Sequence, residues 1–311
     1  MATREAVEGV SGRLRMALDQ ESFAPGEVLR GVVKLGMLEL IEAREPLAVV
    51  VQGKEMLSWD EGRDSPVTNA FDQIFLQQKV ELSTSAMYEA GEWEYQFELP
   101  LPLHLPSSFE LLDIYTEAVD RLRVQITYQA TVWLRSSSDV VGYLTAAQAF
   151  AVHELSTITP PARALEVSAS EAVHWLHCIK RGELQLVVTI PKDVYVSGEV
   201  VPLQCCVDTT ACKTSITSVA VALVEDVVMR NLGDRPDWTL SRVLSTEHFA
   251  GLQAGCVRTQ ATRVELVENE KRSPVNPDVD AHFVQCSHRV IVQCKPWFAQ
   301  SVVSTAGRES P

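Results

Sequence analysis

The first 177 residues contain no cysteine, and the seven that follow, from Cys178 to Cys294, include no CxxC pair. An odd number confined to one half excludes a secreted disulfide framework and reads as reduced core thiols. The chain also lacks any run of about 18 apolar residues, the length that argues for a membrane-spanning helix. Its opening, MATREAVEGV, has no apolar h-region, so no secretory leader is expected and a cytoplasmic location is. No Gly-x-Ser-x-Gly elbow, P-loop or Gly-rich dinucleotide turn is present. The many carboxylates are scattered over alternating positions, as on solvated strands, so catalysis and a cofactor are not expected. Positive charge is scarce: 27 Lys+Arg stand against 41 Asp+Glu, a net charge of −14. Through Leu155 the balance is 12 against 24, and in the remainder 15 against 17. Neither half has the basic field that nucleic-acid binding needs, and anionic lipid should repel the first half, leaving at most a peripheral membrane role.

What is abundant is period-2 alternation. Trp93, Tyr95, Phe97 and Leu99 share one face, with Glu92, Glu94, Gln96 and Glu98 on the other. Val124, Ile126, Tyr128, Ala130, Val132 and Leu134 repeat the pattern, as do Val284, Cys286, Val290, Val292 and Cys294. Such runs are strands with one buried and one wet face. Turn clusters at Pro25-Gly26, Gly62–Pro66, Pro106–Ser108, Ser136–Asp139 and Arg272–Pro274 separate them. Helical spacing is confined to Ser107–Arg121 and Ser168–Leu176. At 311 residues the chain is long enough for two cores. The expected fold is all-β, two tandem antiparallel β-sandwiches of immunoglobulin-like type. The first spans residues 8–155, a hinge 156–171, the second 172–300, and a frayed tail 301–311.

Residues 12–55 resemble residues 184–227 without a gap, at a fixed offset of 172. Leu14, Met16 and Leu18 align with Leu186, Val188 and Ile190, and Phe23 with Tyr195. The turn Gly26-Glu27-Val28 aligns with Gly198-Glu199-Val200, and Leu47, Val49 and Val51 with Val219, Val221 and Leu223. Each glycine supplies backbone freedom where the chain reverses, and each glutamate is placed to accept from turn amides.

Three stretches resemble the arrestin superfamily, within it the arrestin-domain-containing branch. They are FAPGEVLRGVVKL (23–35), AGEWEYQFELPLPLHLPSSFE (90–110) and CIKRGELQLVVTIPKDVYVSGEVVPLQCCVD (178–208). The residues that carry the resemblance are Phe23, Pro25, Gly26, Glu27, Gly31, Gly91, Pro100, Pro106, Ser107, Ser108, Phe109, Gly182, Gly198 and Glu199. The resemblance implies two similar sandwiches and a non-enzymatic adaptor. Such an adaptor binds cytosolic regions of membrane-protein cargo, at endosomes or the plasma membrane, and connects them to endosomal coat proteins or a ubiquitin ligase. Recognition would use strand addition at sheet edges or the groove between lobes. The family recruits HECT ligases through Pro-Pro-x-Tyr, which is absent: the only Pro-Pro, Pro160-Pro161, continues Ala162-Arg163. The spacing from Phe109 to Arg123 and the last strands also depart from the family. A coat subunit similar to the arrestin-like subunit of retromer fits the same fold. A β-sandwich enzyme or ligand-binding module is the reading from another class.

Classical arrestins grip phosphate with basic residues on the first strand, which puts Arg13 and Arg15 forward as a phosphate or cargo contact. Lys180 and Arg181, grouped with Lys192, are a second basic candidate. The lobe's acidity argues against a phosphate grip at the first pair. His174, His177 and Cys178, and the evenly spaced His282, Cys286 and His288, are the sets with metal-ligating side chains; Cys286 and His288 read as core residues, and no metal is expected. Cys205-Cys206 sends one thiol to each face, with Cys205 buried. Leu38–Glu42 and Phe109–Asp113 partly resemble clathrin-binding boxes, and both fall within folded sequence.

Overall fold

The computed structural model describes residues 12–61, 67–115, 120–137, 143–153, 163–175, 179–192, 194–195, 198–268, 273–296 and 302–307. Contacts divide the chain into two units, Met1–Leu155 with Ala281–Phe283, and Ser156–Asp280 with Val284–Pro311. The described residues are all-β and contain no helix.

The first unit is built from β1 (Gly12–Leu18), β2 (Val28–Met37), β3 (Leu47–Glu61), β4 (Val67–Ser83), β5 (Gly91–Pro100), β6 (Phe109–Ile114), β7 (Asp120–Arg135) and β8 (Tyr143–Val152). One sheet runs β1-β2-β5; the other runs from the short pair Ser22–Phe23 through β8, β7 and β3 to β4, with β6 also on β7. Pairing is antiparallel except between Ser22–Phe23 and β8. The alternation assigns the core correctly on β7, where Val124, Ile126, Tyr128, Ala130, Val132 and Leu134 are all buried.

The second unit holds β9 (Leu165–Trp175), β10 (Ile179–Ile190), β11 (Val200–Asp208), β12 (Ile216–Met229), β13 (Trp238–Leu252), β14 (Val257–Glu265), β15 (Val284–Pro296) and β16 (Val302–Gly307). Its sheets are β9-β10-β11-β14 and β13-β12-β15, the latter extended by Val279–Asp280 and β16 on β15. Side chains of both sheets meet in one apolar cluster that includes Leu186, Val188, Leu203, Cys205, Val221, Leu223, Val292 and Cys294.

Four expectations change. Phe109–Ile114, within the first helical candidate, is strand β6, and Ser168–Trp175, within the second, lies in β9. Short apolar runs fit either period, and here pairing with β7 and β10 decides for strand. Residues 165–171, assigned to the hinge, belong to β9, while 154–162 lie outside the described residues. Residues 302–307, assigned to a frayed tail, pair with β15.

The repeat is visible in strand register. Leu14 pairs with Leu35 and Met16 with Val33; Leu186 pairs with Val207 and Val188 with Cys205. Each residue of the second set stands 172 positions after its counterpart. The two turns match in hydrogen bonding as well. Gly26 N–H donates to the Pro102 carbonyl (3.0 Å) and Leu101 N–H to that of Glu27 (2.9 Å). Gly198 N–H donates to the Leu266 carbonyl (3.1 Å) and Leu266 N–H to that of Glu199 (2.9 Å). Glu27 accepts from the Ala24 amide at 2.8 Å, and Glu199 takes the Lys192 ammonium at 3.0 Å.

Gly26 and Gly198 sit at φ +82° and +84°, where a β-carbon is strained. A Cβ at Gly26 would meet Leu103 Cδ2 at 2.7 Å, but that is the end of an exposed side chain that can turn away. At Gly182, φ is +120° and a Cβ would lie 2.0 Å from the backbone oxygen of Ala211, which cannot. Gly26→Ala and Gly198→Ala should therefore each cost about 1 kcal/mol. Gly182→Ala should cost roughly twice that or more. Urea denaturation of the three variants checks the order, and a Gly182→Ala variant as stable as the other two would contradict it.

Candidate functional site

The residues carrying the family resemblance are placed as structure. Phe23 is buried edge-on against Phe150, ring centroids 5.5 Å apart. Gly31 lies between Leu18 and Phe97 in register, and a Cβ there would come within 2.8 Å of the Phe97 ring. Gly91 and Pro100 are the first and last residues of β5. The Pro106 carbonyl accepts from Tyr128 Oη at 2.5 Å. Ser107 is buried, and Ser108 is bonded twice to Val152, through its N–H to the carbonyl (2.7 Å) and its Oγ from the amide (2.9 Å). The Leu-Pro-Ser-Ser-Phe stretch thus stitches the start of β6 to the end of β8.

Arg13 and Arg15 project from the outer face of β1. Arg13 Nη2 is 2.5 Å from Glu92 Oε1, reaching across Gly36, which lies between them in register and offers no side chain to block the path. Lys34 pairs with Glu94 and Arg30 with Glu98 on the same face, so acids offset these cations and Arg13, while Arg15 lies opposite Lys34 in register. Lys180 and Arg181 are exposed in β10. Lys192 does not join them: it follows the other end of that strand, roughly 35 Å away at about 3.3 Å per residue. It lies over the Tyr195 ring instead, 4.5 Å from the centroid. His174 is exposed in β9, and His177 and Cys178 lie outside the described residues. Leu38 and Leu40 of the first clathrin-box-like stretch are exposed, whereas Phe109 and Leu111 of the second are buried.

The densest grouping of titratable side chains is one that alternation alone did not single out. On β12 the core-facing residues are Val219, Val221, Leu223, Glu225, Val227 and Met229. Glu225 is the one acid among them and is 1% exposed. It pairs in register with Arg242 on β13 and His288 on β15, which places three ionisable groups in a row across three strands. Arg242 Nη2 donates to Glu225 Oε1 at 2.5 Å and Nε at 2.9 Å. Asn276 Nδ2 reaches Oε2 at 3.3 Å, and His288 Nε2 lies 3.6 Å from the same oxygen. Nδ1 of His288 is 2.7 Å from Asp278 Oδ1. Cys286, 1% exposed, pairs with Val227 and stands diagonally beside Glu225. On the opposite face of the sheet, Asp226 is bonded to Ser241 and Arg289. His282, grouped with Cys286 and His288 by spacing, is not on β15. It precedes the strand, falls in the first unit by its contacts, and gives its backbone amide to Glu55 at 3.0 Å.

The electrostatics follow from this row. Burial opposes charge on Glu225, but His288 and Arg242 outweigh it and hold the carboxyl below its ordinary range. Burial also opposes the His288 imidazolium, yet the carboxylates of Asp278 and Glu225 raise its pKa from 6.5 to about 9. Burial, with Glu225 and Asp278 adding to it, pushes the Cys286 thiol far up. Two cations and two carboxylates therefore compensate one another at neutral pH. The lone Glu in an apolar alternation was the available sequence signal; its partners, 17 and 63 residues away, depend on register.

No protein-family model matches the chain, and no curated protein matches it.

Two outcomes are expected. Glu225→Gln removes the charge that compensates Arg242 and His288 and should cost about 3 kcal/mol, read as a lowered denaturation midpoint. A variant within about 0.5 kcal/mol of the parent would contradict the role given to this carboxylate. The raised His288 pKa contributes stability that is fully present below pH 6.5 and is lost as pH rises through about 9. In metal-free buffer the parent should lose about 3 kcal/mol between pH 6.5 and 10, and His288→Gln should flatten that decline. Parallel profiles for the two proteins would count against it.

Proposed function

We propose that this protein is a non-enzymatic adaptor of the arrestin type that acts in the cytoplasm on membrane-protein trafficking. The observation that carries this reading is the equivalence of the two Gly-Glu turns. They share φ and flanking register, both bond through the glycine N–H and the glutamate carbonyl, and they lie within the stretches that resemble the family. Their glycines and the Leu-Pro-Ser-Ser-Phe stitch fill structural positions, so the signature supports a scaffold rather than a reactive centre. No helix among the described residues is long and apolar enough to cross a membrane.

Recognition by shape and strand pairing suits the surface better than a phosphate grip. Arg13, Arg30 and Lys34 are each paired with a glutamate. Strands β4 and β13, 17 and 15 residues long, end their sheets among the described residues. An extended cargo segment can add to such an edge through main-chain hydrogen bonds, with alternate side chains giving specificity. A ubiquitin ligase or an endosomal coat would be the second partner.

Proximity labelling by the full chain in its native cells tests the proposal. Membrane proteins with cytosolic segments, together with coat or ligase components, should be enriched over a freely diffusing control. A labelled set without membrane proteins would overturn the reading. Enrichment of one fixed set of retromer subunits at equal stoichiometry would replace it with the coat-subunit reading. Arg13→Glu should leave the labelled set unchanged, since that guanidinium already has an anionic partner.

A further inference from the structure

The row across β13, β12 and β15 has a chemical property that charge compensation leaves unused. Glu225, Cys286 and His288 each offer a ligand atom, and these atoms all lie within 4.8 Å of one another. The Nε2 of His288 is buried and has no hydrogen-bond partner, although it points toward a carboxylate. Its other nitrogen is held by Asp278 at 2.7 Å. In the neutral ring, an Nδ1–H given to a carboxylate leaves the lone pair on Nε2, which is how ligating histidines are oriented. Glu225 is likewise divided: Arg242 takes Oε1, and Oε2 faces the histidine.

We propose that Glu225, Cys286 and His288 bind one divalent cation of intermediate softness, and that zinc is the ion their chemistry selects. One thiolate, one imidazole and one carboxylate form a mixed S/N/O set, which suits zinc and disfavours magnesium and calcium. Zinc bonds of about 2.0–2.3 Å require ligand atoms roughly 3.3–3.8 Å apart, so the three need close by about 1 Å from their present spread. Charge permits it. Glu225, Asp278 and a Cys286 thiolate supply three negative charges, and Arg242 with the dication supplies three positive ones. Binding replaces the thiol proton and the imidazolium proton, both of which leave to solvent, and the metal deprotonates the thiol directly. The ligands come from β12 and β15, which pair in the middle of the sheet, so the ion would clamp neighbouring strands.

Asp278 acts as a positioning residue, and its side chain is 57% exposed, so its removal should be tolerated by the fold. The test uses the full chain, stripped with chelator and titrated with zinc or cobalt(II). One equivalent of zinc should survive dialysis, and cobalt(II) should give a thiolate charge-transfer band. Cys256→Ser, which removes an exposed thiol, should leave both unchanged. Cys286→Ala should abolish the cobalt band, His288→Gln should abolish zinc retention, and Asp278→Ala should weaken zinc binding by about 10-fold or more. Should the core variants fail to fold, X-ray absorption on the zinc-loaded parent decides: one sulfur and two or more N/O ligands support the site. Failure of the parent to retain zinc, a zinc shell without sulfur, or retention that follows Cys256 instead of Cys286 would each overturn it. Because the readouts are metal content and ligand spectra, failure here leaves the adaptor proposal standing, and the reverse also holds.

Discussion

Strand register is the constraint on which everything else in this molecule rests. Side chains alternate faces with a period of two, so a one-residue slip would turn every buried residue of a strand outward. Leu14 opposite Leu35 and Leu186 opposite Val207 fix the first two strands of the repeat in each unit. The second-unit pairing repeats the first at a constant interval. The Gly-Glu turns that precede β2 and β11 are held by matching backbone bonds to the chain beyond β5 and β14. Register in each lobe is therefore set by a left-handed glycine at the turn together with an apolar face that cannot be exposed.

That same register places a buried carboxylate in each unit among the described residues. β3 carries Glu55 and β12 carries Glu225, each 1% exposed on a face otherwise filled by apolar groups and glycine. A buried carboxylate persists only when its charge is hydrogen-bonded or paired. Within the first unit Glu55 accepts the backbone amides of His282 and Phe283, at 3.0 and 2.8 Å. Glu225 meets charged side chains, which makes its surroundings electrostatically rich, and a thiol and an imidazole stand beside it. A break in local patterning that is fully compensated is the kind of place where chemistry rather than packing has shaped the sequence.

The acidity of the first unit looks different once the side chains are placed. Glu92, Glu94 and Glu98 line one face of β5 and meet Arg13, Lys34 and Arg30 from the neighbouring strands. Exposed pairs of this kind contribute little to stability. They do neutralise Arg13, Arg30 and Lys34, while Arg15 stands opposite Lys34 in register on the same face. A long edge strand and the exposed Leu38, Leu40 and Leu103 remain among the described residues of this unit.

The sequence alone determined the all-β class, the buried faces of β5, β7 and β15, and the duplication, because alternation and a gapless repeat are local or pairwise properties of the string. It misjudged 109–114 and 168–175, where short apolar runs satisfy both periods and only pairing with β7 and β10 decides. It grouped Lys192 with Lys180, although an extended strand separates them, and His282 with His288, although the chain leaves the strand between them. Glu225 was visible as a solitary acid in an apolar series. That Arg242 and His288 flank it, with Asp278 behind the imidazole and Cys286 beside it, was decided by tertiary structure alone. Cross-strand partners are chosen by the register of whole strands, which no local pattern around position 225 encodes.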